Sequence, residues 1–89
     1  MTNLEKKAYN YGLPMVTTRE NLEFHCSPVV AFGKNVLVAG SYFGSNGCFA
    51  AIYKHTTADT SCDTEIKLVK ISDELFEDEG HALQWAMMR

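Results

Sequence analysis

Three cysteines and three histidines are the side chains in this 89-residue chain best suited to hold a metal or attack an electrophile: Cys26, Cys48, Cys62, His25, His55 and His81. Cys48, His55 and Cys62 stand with six residues between each. Structural zinc is usually held by pairs two to four residues apart, because neighbours on one turn can close a tetrahedron. No such pair occurs here, so the spacing argues against zinc. A thiol nucleophile needs a lowered pKa and a base within hydrogen-bond reach. His25 and Cys26 are adjacent, but on a strand their side chains would face opposite sides. The simpler reading makes Cys26 and Cys48 small core hydrophobes and Cys62 a loop residue. It leaves His55 and His81 solvated, at a strand end and on a helix flank. No catalytic residue, metal or cofactor is therefore expected.

Glycines 40, 44 and 47 match neither the phosphate-loop nor the dinucleotide fingerprint, which need a strand, a glycine turn and then a helix. Their flanks read as strands, and a hairpin turn explains Gly44 and Gly47.

The charged residues carry more information. Asp73, Glu74, Glu77, Asp78 and Glu79 place five of the eleven acids within seven positions. Without them the remaining 84 residues carry a formal +2, against −3 for the whole chain. Carboxylates beginning a helix have a local electrostatic reason to be there. Clustered carboxylates also steer association with a basic partner and can occupy a site built for phosphates. The aromatics Tyr42, Phe43, Phe49 and Tyr53 alternate along strand-like sequence, so about half should face away from the core. Tyr42 and Tyr53 join the five acids as the expected partner-binding set, with Tyr9, Tyr11 and Trp85 as further aromatics to test.

These residues must be positioned by a small number of elements. Leu4, Ala8 and Tyr11 line one helical face, and Gly12 and Pro14 end that helix. Met15 and Val16 begin a short strand. Thr17 with Glu20 fits a capping box, while Leu22 and Phe24 also alternate as a strand would, so residues 18–26 are left open between helix and strand. Residues 29–32 and 36–43 are β-branched and aromatic runs joined by Gly33, Lys34 and Asn35. Residues 48–56 add a third strand to the meander, and the polar stretch 57–64 reads as a surface loop. Residues 65–71 alternate until Leu68 and Val69, where a bulge or strand end is expected. Leu75, Ala82, Leu83, Ala86 and Met87 form a helical stripe to lie across the sheet, with the regular helix starting near Asp78 because Gly80 weakens the first turns.

Composition sets the outer bounds. Apolar residues are 46% and charged residues 21% of the chain, as in folded globular proteins and unlike disordered ones. The length suits one domain spanning residues 1–89. No apolar run reaches the roughly 20 residues of a membrane helix, and the start of the chain reads as part of the mature fold. An odd, widely spaced set of cysteines suits reduced thiols in a cytoplasm. The negative net charge argues against general nucleic-acid binding, although an acidic surface could compete with nucleic acid for a partner.

The expectation is a single α+β domain: an antiparallel sheet of about four strands, a C-terminal helix on one face and a short N-terminal helix. Its expected function is a non-enzymatic protein-binding module. A narrower form is a small inhibitor that a phage or other mobile element directs at a host defence complex, as the anti-CRISPR proteins are. The alternatives are a thiol- or metal-dependent protein using the Cys and His residues, and a homodimer joined through a free sheet edge.

Overall fold

The computed structural model describes residues 2–25, 29–41, 47–61 and 63–88. The elements are α1 (Asn3–Tyr11), β1 (Val16–Thr18), α2 (Arg19–His25), β2 (Val29–Phe32), β3 (Asn35–Ser41), β4 (Cys48–His55), β5 (Glu65–Ile71) and α3 (Glu79–Met87). Among the described residues the sheet has five strands, not about four, in the order β1-β5-β4-β3-β2, and every pairing is antiparallel. The additional strand is β1, whose three residues pair with Glu65, Ile66 and Lys67.

Local chemistry accounts for the helix limits. Thr2 accepts from the backbone N–H of Glu5, and the Glu5 carboxylate accepts from that of Thr2, a capping box that starts α1. Gly12 ends the helix at φ +71°, in the left-handed region where a side chain would be strained. α2 starts one residue later than the Thr17–Glu20 pattern suggests: Thr18 Oγ1 accepts from the N–H of Asn21, while Thr17 stays in β1 opposite Ile66. Of the residues 18–26 left open between helix and strand, Thr18 ends β1 and Arg19–His25 are helical; Cys26 lies outside the described residues. Gly33 opens the two-residue β2–β3 loop at φ +64°, the positive φ such loops require.

The sheet is buried on both sides. One cluster contains Val36, Val38, Phe49, Ala51, Tyr53, Ile66, Leu68 and Ile71, covered by Ala8 of α1, Leu13 and Leu22 of α2. The other contains Leu37, Ala39, Ala50, Ile52 and Cys48, covered by Ala82 and Ala86 of α3. This places helices on both faces, which explains why β4 reads as a nearly unbroken apolar run. Alanines on α3 and on the strands beneath it let that helix approach closely. Tyr11 stacks flat on Phe49 on the opposite face, with centroids 4.8 Å apart.

β5 contains the irregularity anticipated at Leu68 and Val69. Tyr53 pairs with Leu68 but Ile52 pairs with Lys70, so Val69 is an extra residue in the ladder. Because one inserted residue reverses the alternation, Ile66, Leu68 and Ile71 all reach the same core, while Lys67 and Lys70 share the opposite face.

Candidate functional site

The acidic segment is not a plain helix start. Only Asp78 and Glu79 belong to the beginning of α3; residues 73–77 form a connection pinned against β4. The buried hydroxyl of Ser72 accepts from the N–H of Ala50 at 3.1 Å and donates to the carbonyl of Glu74 at 2.9 Å. Phe76 and Cys48 exchange two backbone hydrogen bonds, of 2.7 and 2.9 Å, in an isolated antiparallel bridge. Glu74 and Glu77 flank that bridge with exposed side chains.

Three of the five acids have local partners or structural positions. Asp73 pairs with Lys7 of α1, and that ammonium holds its carboxyl below the usual carboxylate range. Asp78 is the N-cap of α3 and accepts from the His81 N–H at 2.8 Å. This bond, reinforced by the His81 ring, lowers its pKa. Glu79 sits in the first helical turn.

The aromatic half of the expected set needs correction. Tyr53 is 0% exposed, and its hydroxyl donates to the Pro14 carbonyl at 2.6 Å, so it is a core residue and cannot meet a partner. Its position on β4 points it between the sheet and the N-terminal helices, both of which cover that face. Tyr42 lies outside the described residues. Tyr9, by contrast, is 80% exposed on α1.

Among the described residues the sulfur and imidazole groups do not gather. Cys48 faces α3, whereas His55, at the other end of β4, has odd parity with Tyr53 and faces the α1/α2 side. His55 is 5% exposed rather than solvated, because residues on that side of the sheet are covered, and its Nδ1 has no hydrogen-bond partner among the described residues. Cys26, Cys62 and the His25 side chain lie outside the described residues. Among those described, no group of three or more His, Cys, Asp or Glu is placed to hold a metal. No helix among them is long and apolar enough to cross a membrane.

A second charged surface emerges only from the strand register. On the α3 side, Phe32, Asn35, Lys54, Lys67 and Val16 form one row across all five strands. Lys70 lies beside that row, opposite Ile52, with its Nζ 5.7 Å from the Trp85 ring centroid. Asn35, Ile52, Lys54, Val69 and Lys70 line a shallow groove of about 480 Å³. Elsewhere, a cleft of about 640 Å³ between α1, β1 and α2 is lined by Tyr9, Leu13, Pro14, Thr17, Asn21 and Leu22 among others. The lysine surface was missed in the sequence because positions 67 and 70 share a strand face only if a bulge intervenes. The Leu68–Val69 break was the available signal.

Neither the curated proteins nor the solved structures compared with this chain include a match. A family model does match residues 13–89, from the end of the first helix connection through all five strands and α3. By that match the chain belongs to the family described as nucleotide modification associated domain 4.

Proposed function

We propose that this protein is a non-enzymatic protein-binding module that works beside nucleotide-modifying machinery and docks on a basic partner through residues 73–79. The observation that carries this reading is the pinning of the segment by Ser72 and the Cys48–Phe76 bridge, which holds Glu74 and Glu77 at the surface before any partner arrives. Ordering a loop on binding costs free energy, and a carboxylate pair already fixed in place avoids much of that cost. The family description supports the nucleotide-modification setting. An inhibitor of a host defence complex is a narrower form of the same proposal, with the basic surface of that complex as the partner.

Glu74 and Glu77 are the residues to test, because Asp73 and Asp78 also support the fold. The Glu74→Gln, Glu77→Gln double variant should fold normally and lose a protein that the unaltered chain retains from its native host. With that partner purified, the unaltered chain should bind less tightly as salt rises, and the variant should show a shallower dependence. Equal retention by both proteins, with equal salt dependence, overturns the proposal.

A further inference from the structure

We infer that the α3 side of the sheet is a binding surface for single-stranded nucleic acid, with Lys54, Lys67 and Lys70 contacting phosphates and Phe32 stacking on a base. The inference is separate from the docking role of residues 73–79 and uses different residues.

Folding alone gives little reason for this arrangement. Lys54 and Lys67 are exposed and directly opposite each other on paired strands, a like-charge juxtaposition that destabilises a sheet. Among the described residues neither has an ion-pair partner. The bulge at Val69 then turns Lys70 onto the same face. Three of the chain's eight basic residues are thereby concentrated on one surface of a protein whose net charge is −3. Two acids border it: Glu65 precedes Lys67 by two positions on the same face, and Asp73, near Lys70, is paired with Lys7.

The same row carries an aromatic group. Phe32 is 49% exposed at the β2 end, and Val16, also 49% exposed, closes the β1 end. Neighbouring strands lie about 4.8 Å apart, so the row spans roughly 19 Å, long enough for several nucleotides of one strand. Lysines that follow a backbone and an exposed aromatic ring that takes a base are the elements of sequence-tolerant single-strand binding. A duplex is a poorer occupant, because an element must enter one of its grooves to read it, and here the lysines lie on the sheet floor beside α3. A lone phosphate is also a poorer fit. The ammonium groups are spread across two strands and form no convergent cradle with backbone N–H groups.

The test is fluorescence anisotropy with a labelled 12-nucleotide oligothymidylate and a 12-base-pair duplex, using the full chain. Three phosphate contacts predict an affinity for the single strand that falls roughly twentyfold between 50 and 200 mM salt. The Lys54→Gln, Lys67→Gln, Lys70→Gln variant should remove most of that dependence. Phe32→Ala should weaken binding roughly tenfold with the salt slope unchanged. Lys6→Gln on α1 should change neither. Circular dichroism and thermal unfolding establish that each variant is folded; should the triple variant fail to fold, single substitutions at Lys54 and Lys67 should each lower the salt slope by about 0.7. Absence of single-strand binding at 50 mM salt, tighter binding of the duplex, or slopes untouched by the lysine substitutions would overturn the inference. Retained oligonucleotide binding by the Glu74→Gln, Glu77→Gln variant distinguishes this surface from the protein-docking segment.

Discussion

At the scale of single residues, position in the fold decides whether a polar group recognises a partner or supports the chain. Tyr53 and Ser72 both support it. Tyr53→Phe removes the hydrogen bond to the Pro14 carbonyl and should cost about 1 kcal/mol in denaturant unfolding. Ser72→Ala leaves the buried amide of Ala50 without its side-chain acceptor and releases the Glu74 carbonyl, so a loss of about 1–3 kcal/mol is expected. Ser72→Ala should also weaken the proposed partner by freeing the acidic connection, whereas Tyr53→Phe should leave partner affinity intact. Residue type was legible at these positions. Tyr53 attracts attention as a tyrosine on a strand, but the same alternation that exposes one neighbour buries the next, and only the identity of the covering layer settles which.

Elements show how local rules and tertiary register combine. α3 begins where the weak first turns and the run of acids suggested, at Asp78, because that carboxylate satisfies the His81 amide. Its pKa is lowered from the ordinary 3.8, so the charged form favours the folded state. The resulting stability is present above the unfolded value and is lost as pH falls through the lower folded value. Asp78→Asn keeps a capping oxygen without the charge. Acid titration followed by circular dichroism should therefore show a shallower loss of stability below pH 4 in that variant. In β5, Lys67→Gln relieves the repulsion from Lys54, and its thermal midpoint should match or exceed that of the unaltered chain. A lower midpoint would mean that Lys67 has a structural partner.

For the whole molecule, two helical layers on one sheet leave little room for change beneath α3. Ala86 is buried against the sheet, so Ala86→Leu should overpack that layer and cost about 1–3 kcal/mol by chemical denaturation. Met87, placed on the same stripe by its spacing, is instead 50% exposed, so Met87→Leu should be nearly neutral. The sequence by itself determined the α+β class, the stop of α1, the β2–β3–β4 meander and a break in β5 at Leu68 and Val69. Each depends on local rules: side-chain periodicity, glycine at positive φ, proline as a stop. It also showed the acids of residues 73–79 as a group, because they are neighbours along the chain. The burial of Tyr53 and His55, and the row of Phe32, Lys54 and Lys67, depended on tertiary structure. Those arrangements are set by strand register and by which helix covers which face, and both arise from contacts between residues distant in the chain. A net charge read from composition averages over such placement, and so an acidic chain can still carry a basic surface.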